Sequence, residues 1–310
     1  MARSQALTGI LLAIGGTVIF SVNDVAIKFL SGGYALHQVI LIRAVVAMAV
    51  ILAFIGLSGT GYRQLVTRRP RTHLLRVAIV MVSNVTYFLG LAAMDLADAV
   101  AVAFVSPIVI TLLSVVFLRE TVGPRRWMAV ILGMVGVIIM LRPGGGVIQP
   151  AALLVLASAV LYAAGNLLSR QMGGTESAMA LGFYVQTGFI IVSAMMGLWV
   201  GDGHLAVDGT IWTFLFRPWV WPPLQDWPIF LATGFAVGIG GMMVTQAYRT
   251  AEAGLVAPFE YVGMPVAVLW GIAIFGTFPD LTAWVGIALI CGSGLYTLWR
   301  ETARRHRHAA

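Results

Sequence analysis

The sequence predicts an all-α integral membrane protein of ten transmembrane helices, arranged as two inverted five-helix repeats. Three observations carry this prediction: composition, the length of the apolar segments, and internal similarity. Of 310 residues, 60% are hydrophobic and 10% charged, with a mean hydropathy of +0.94. Soluble globular domains do not reach such values.

Ten apolar segments follow one another: 9–29, 39–57, 74–94, 100–118, 124–141, 151–169, 178–200, 229–248, 255–278 and 281–299. Most have the roughly 17–25 residues a spanning helix needs. The first is too long for the apolar core of a signal peptide and lacks a small-residue cleavage site, so it counts as the first helix. The fifth reaches spanning length if Arg125 and Arg126 snorkel at its start. Pro107 and Pro265 are expected to bend the fourth and ninth helices in corresponding places. Residues 201–227, the longest loop, hold Trp212, Trp219, Trp221 and Trp227 beside several prolines, a composition suited to the headgroup level.

Orientation follows from the cations. With the N-terminus inside, fifteen of the nineteen Lys and Arg fall on the cytoplasmic side, while Arg142 and Arg217 lie opposite with most loop aspartates. Cytoplasmic loops retain cations, so both termini are expected in the cytoplasm. Eighteen arginines against one lysine suit a GC-rich bacterium and hence an inner membrane.

The chain also resembles itself. At an offset of 142 residues, Leu11-Leu12 falls on Leu153-Leu154, Phe20 on Tyr162, Asp24 on Asn166 and Lys28 on Arg170; one residue later Arg43 falls on Gln186. Ala97-Asp98-Ala99 matches Ala251-Glu252-Ala253. An odd number of helices per copy turns the second copy over in the bilayer, and inverted repeats hold substrate near midplane at their interface. The expected organisation is a first repeat over 1–145, a second over 146–300, and a basic tail over 301–310.

Charges inside apolar segments mark function, because each costs on the order of 2.5–3.5 kcal/mol to insert. Asp24 and Lys28 are one turn apart on the first helix, where an ion pair forms easily. Arg43, early in the second helix, shares their depth and is expected to be the free cation. In this reading Arg43 and Lys28 meet an anionic group on a substrate, and Asp24 orients Lys28. Glu260 follows Pro258 near the cytoplasmic end of the ninth segment, where a proline break would expose backbone groups to a cavity. With Asn166 and Gln186 it would form a second station, binding an amine or a proton; Glu260 and Asp24 are the proton-coupling candidates. Tyr87, Gln246, Tyr261 and Trp270 complete the expected lining, with Asn84, Ser106, Tyr162, Tyr184 and Tyr248 as further polar or aromatic residues on apolar helices.

Other classes find no support. The five histidines lie in loops, helix ends or the tail, no His-Glu-xx-His or Gly-x-Ser-x-Gly pattern exists, and Cys291 stands alone. The chain therefore reads as neither enzyme nor metal or cofactor protein. Its net charge of +7 is explained by topology, without a nucleic-acid-binding module. Gly144-Gly145-Gly146 lacks the Lys of a phosphate loop and reads as a turn. Gly234-xxx-Gly238 and Ala129-xxx-Gly133 read as close helix packing within a monomer, a homodimer being the alternative.

On particular motifs the chain resembles the drug/metabolite transporter superfamily, in its EamA branch of paired five-helix repeats. These are Asn23-Asp24-xxx-Lys28, Arg43, Phe117-Leu-Arg-Glu120, Ala247-Tyr-Arg249 and Ala257-Pro-Phe-Glu260-Tyr261. The family pattern has a Glu after Phe275-Gly276, where this chain has Thr277. The resemblance implies a secondary transporter working by alternating access, with a small-molecule substrate and the lipid bilayer as its partners. The expected cargo is a small polar organic metabolite, carboxylate-bearing or zwitterionic and amino-acid-like. Alternatives are uptake of a cofactor-like molecule of the riboflavin or S-adenosylmethionine type, or a passive facilitator channel.

A single reactive cysteine at Ser58, Ala178 or Ala309 is expected to be labelled from the cytoplasm, and one at Gly33, Gly145 or Gly203 from outside. Periplasmic labelling at Ala309 would contradict an even helix count.

Overall fold

A computed structural model describes residues 2–59, 61–141, 150–207, 209–278, 280–282, 284–289, 292–293 and 296. The described residues form helices and loops. Helices α1 (Ala2–Leu30), α2 (Leu36–Ser58) and α3 (Pro70–Ala93) are followed by a broken pair, α4 (Leu96–Ala103) and α5 (Ser106–Leu118), and by α6 (Pro124–Leu141). Then come α7 (Pro150–Met172), α8 (Ala178–Val200), the four-residue α9 (Thr213–Phe216) and α10 (Trp227–Thr250). A second broken unit closes the series: α11 (Ala253–Val256), a 3-10 stretch over Ala257–Val262, and α12 (Gly263–Phe275).

Eight of these segments are long and apolar enough to cross a membrane, counting 96–118 and 253–275 as one each; α6 is an eighteen-residue helix besides. The tenth expected segment is helical wherever it is described, at 281–282, 284–289, 292–293 and 296. The chain is thus an all-helical, multi-pass membrane protein. Cys291, Arg142, Gly144–Gly146, Asp208 and the tail 301–310 lie outside the described residues, as do the side chains of Arg125, Arg126 and Ala129.

Both breaks have a chemical cause. Pro107 is the second residue of α5 and has no N–H to give to the turn before it, so Phe104 and Val105 turn on tighter bonds to Val100, Ala101 and Val102. Pro258 acts likewise, and the chain runs as a 3-10 helix through Glu260 before α12 begins. Pro265 lies in the first turn of α12, so the second break is centred earlier than that proline suggests.

Helices of the first half pack on helices of the second: α1 along α10, α3 along α7, α2 between α8 and α10, and α4 against α12. Small residues permit the approach. A Cβ on Gly9 would fall 2.6 Å from Ala251 Cβ, and one on Gly90 2.4 Å from a Val155 methyl and 2.8 Å from the Ala151 carbonyl. The Gly234-xxx-Gly238 pair packs within the chain, as expected, against Val46 and Val50 of α2. Gly133 makes room for the Tyr261 ring.

The long loop is held to the start of α2. The Gln38 amide donates to the Val220 carbonyl at 2.6 Å and accepts from the Val220 N–H at 3.3 Å. His37 Nδ1 lies 2.9 Å from the Leu215 carbonyl, and Tyr34 donates to Asp226. Burial, with that carboxylate, pushes the Tyr34 phenol up to about 12.

Gly234→Ala would force its methyl to 2.3 Å from Val46 Cβ and 3.1 Å from the Arg43 carbonyl. A loss of about 1–3 kcal/mol is expected, the range for overpacking, seen as a lowered apparent Tm of the purified protein. Gly33→Ala meets no atom within 4 Å and is expected to leave it unchanged.

Candidate functional site

A cavity of about 270 Å³ lies among the helices, and both breaks reach it through Ala103, Phe104, Ser106, Glu260 and Gly263. The expected pair of stations becomes one space. Asp24, Arg43, Tyr87, Asn166, Gln186, Glu260 and Trp270 all line it, although their chain positions suggested two depths. Helix α3 presents a single stripe to it, Arg76, Val80, Ser83, Asn84 and Tyr87, at the spacing of one helical face. No described residue of α6 does so.

One end is organised around Arg43, which is 1% exposed. Its guanidinium lies 5.2 Å from the ring centroids of both Phe88 and Phe189 and donates to Asn23 Oδ1 at 3.4 Å and Asn84 Oδ1 at 3.2 Å. Aromatic faces attract a desolvated guanidinium. Asp24 is held by Asn23 Nδ2 at 3.3 Å and by the Tyr87 hydroxyl at 3.2 Å, and its charge acts on Arg43. Arg43 is therefore not the free cation expected. Its Nε has no partner among the described residues, but the group is bonded to two asparagines and stacked on two rings.

Lys28 requires a larger correction. It does not pair with Asp24 and does not reach the cavity. Its ammonium donates to the carbonyls of Leu91, Ala92 and Met94 at 3.0, 3.2 and 2.5 Å. These carbonyls end α3, where a helix has no intrahelical donors left and a cation suits the dipole. All three lysine protons are used, so Lys28 fastens α1 to α3. The sequence misled because i, i+4 proximity looked sufficient, while three helix-end carbonyls outcompeted one carboxylate already held by Asn23 and Tyr87.

Glu260 does face the cavity. Its Oε1 accepts from Tyr248 at 2.8 Å and Tyr162 at 3.0 Å, while no described protein group bonds its other oxygen. Trp270 donates to Ser21 Oγ at 2.9 Å and contributes its ring to the wall. Asn166 Nδ2 and Gln186 Oε1 are buried without a protein partner. Two further expected residues fall outside, besides Lys28. Gln246 accepts from Arg249 Nη1 at 2.5 Å. Tyr261, 1% exposed, packs edge-on to Phe104 and against Gly133, away from the space. On a helix broken by Pro258, position 261 cannot be extrapolated from 260 at a regular pitch.

Sequence reasoning missed Arg76, counted only among the cytoplasmic cations. It is 6% exposed and lines the cavity. The stripe 76, 80, 83, 84, 87 was the available signal. Glu120 accepts at one oxygen from Arg170 Nε at 3.4 Å and the Ala253 N–H at 3.2 Å, and at the other from the Gly254 N–H at 3.2 Å, so it caps α11.

A largely apolar cavity carrying a few charged and amide groups, reached by two broken helices inside a multi-pass bundle, fits a membrane transporter for a small molecule, and similarity to known proteins agrees with a transporter of the inner membrane. Residues 7–142 match the EamA-like transporter family. Two curated relatives run along nearly the full length of the chain. A riboflavin transporter of Rhizobium johnstonii is 28% identical over 99% of this chain and 96% of its own. An S-adenosylmethionine uptake transporter of Rickettsia prowazekii is 25% identical over 97% and 95%. A solved crystal structure, 21% identical, covers 96% of this chain and 98% of its own with a TM-score of 0.73, which shows the shared fold.

Lys28→Met is expected to lower stability by about 1–3 kcal/mol, the cost of leaving buried acceptors unpaired, with ligand affinity unchanged. Thermal unfolding and equilibrium binding on one preparation check both halves of that statement.

Proposed function

We propose that the protein is an alternating-access carrier for a small polar metabolite bearing a planar heteroaromatic ring, the cofactor-like class expected above as the alternative. One observation carries this reading: inside a cavity with aromatic residues in its wall, Asn166 Nδ2 and Gln186 Oε1 make no hydrogen bond to any described residue. A buried polar group left unpaired costs about 1–3 kcal/mol. Asn and Gln amides are well suited to the donor and acceptor edges of ring heterocycles, as they are to nucleobases. Phe20, Phe104, Tyr162 and Trp270 supply ring faces around them. The volume suits one small molecule and excludes a peptide. The two relatives carry, by their names, riboflavin and S-adenosylmethionine, and each compound contains such a ring.

The two anion anchors expected of the amino-acid-like reading, Lys28 and Arg43, are committed to protein partners. The two halves act as inverted repeats with both termini cytoplasmic. The reciprocal pairing of α1 with α10 and α3 with α7 supports this, as does the absence of α6 from the described lining. Of the two carboxylates, Asp24 is the fixed counter-charge of Arg43. Glu260, with one oxygen unbonded, is the group that exchanges a proton or meets a substrate donor.

Proteoliposomes are expected to show saturable transport and counterflow of riboflavin or S-adenosylmethionine; a passive channel would show neither. Trp270→Ala is expected to weaken binding about tenfold, from a lost stacking face worth roughly 1–3 kcal/mol. Glu260→Gln keeps the shape and fixes the neutral state, so accumulation driven by a pH gradient is expected to fail while counterflow persists. Unchanged gradient-driven accumulation in that variant would remove Glu260 from coupling.

A further inference from the structure

The four arginines just before Arg76, at 63, 68, 69 and 71, are exposed, as topology-setting cations are. Arg76 is different. It lies in the seventh position of α3, 6% exposed, with Nε donating to Ser169 Oγ at 2.8 Å and Nη1 to the Leu181 carbonyl at 3.0 Å. Both partners are neutral. Among the described residues no carboxylate bonds it, and the nearby acid, Glu176, is engaged by Thr67 at 2.7 Å and by His73 at 3.4 Å. Among the described residues its remaining terminal nitrogen has no hydrogen-bond partner, and the residue lines the cavity.

A buried charge is stable only with a partner. Arg43 is stacked on two aromatic faces and bonded to two asparagines, with the charge of Asp24 acting on it; among the described residues Arg76 has only the neutral Ser169 and Leu181. Ser169 and Leu181 instead fix the guanidinium by two of its edges, which is what holding an incoming anion in one orientation requires. Eight residues separate Arg76 from Asn84, about 12 Å along the helix, and Val80 and Ser83 line the space between them.

We propose that Arg76 is the anion-binding group of this cavity and that the transported molecule carries a carboxylate or phosphate, which docks there while its ring lies toward Asn166 and Gln186. The placement of the ring rests on the reading above; the anion site does not. Arg76 thereby sets specificity, selecting charged over neutral forms of one ring system.

Riboflavin and flavin mononucleotide form the test pair, since they share a ring and differ by one phosphate. Their binding to the purified, delipidated protein in uncharged detergent is followed by flavin fluorescence at constant ionic strength. The mononucleotide is expected to bind about tenfold more tightly, and inorganic phosphate to erase that preference without affecting riboflavin. Arg76→Gln is expected to bind the two alike, and Arg76→Lys to keep part of the difference. Equal binding by the wild type, or an Arg76→Gln variant that weakens both flavins equally and retains the preference, would overturn the proposal. Displacement of the mononucleotide by added phosphatidylglycerol, at concentrations where inorganic phosphate acts, would assign the site to a lipid headgroup and overturn it too. If Arg76→Gln does not fold, the phosphate competition on wild type and the Arg76→Lys variant decide. If neither flavin binds, the ring reading fails, and Arg76 is judged on stabilisation alone: inorganic phosphate is expected to raise the apparent Tm of wild type and Asn166→Ala but not of Arg76→Gln. No shift in wild type would overturn it.

Discussion

Hydrocarbon offers no hydrogen bonds, so every polar group within the bilayer must find its partner inside the protein or in a water-lined space. Most of this architecture answers that constraint. Unbroken helices satisfy their own backbones and can face lipid. The two interrupted units, 96–118 and 253–275, also present apolar residues such as Phe117 and Leu269 outward, but both turn their breaks toward the cavity. Pro107 and Pro258 thereby do more than bend helices: they place the irregular backbone where the cavity lies.

The same constraint sorts the cations. Lys28 meets the carbonyls that end α3, a place where several acceptors are always left over. Arg43 is stacked between Phe88 and Phe189 and bonded to two asparagines. Arg170 and Arg249 engage one another's helix ends, Arg170 donating to the Arg249 carbonyl at 3.2 Å and Arg249 to the Gly173 carbonyl at 2.9 Å. Equal formal charge thus leads to unequal availability. That is a property of the neighbours each residue acquires on folding.

This explains what could be read from the sequence. Span number and type were legible because hydrophobic length is a sum over a window, insensitive to individual contacts. Asp24, Tyr87, Asn166, Gln186, Glu260 and Trp270 were legible as cavity residues because polar or aromatic side chains stand out on apolar helices. Partners were not legible. Nothing in Asn23-Asp24-xxx-Lys28 reveals that the third helix ends beside the lysine, and nothing after Pro258 fixes how far the 3-10 stretch rotates Tyr261 away. Arg76 escaped notice because four arginines closely precede it, at 63, 68, 69 and 71, and only its place on the stripe 76, 80, 83, 84, 87 sets it apart from them.

The packing of first-half helices onto second-half helices also governs biogenesis. Helix α1 emerges first, yet its close neighbour is α10, where Gly16 and Gly240 bring the backbones together. At roughly 5–20 residues per second the intervening chain takes about 10–40 s to synthesise. Throughout that interval Gly9, Gly15 and Gly16 leave a groove along α1 that only lipid or an insertion factor can fill. The polar network around Asp24 must meanwhile rest on Asn23, Tyr87 and Arg43 alone. The early contacts of the first three helices, Lys28 to the end of α3 and Arg43 to Asn84, therefore serve a second purpose: they keep a half-made bundle coherent until its partner helices arrive.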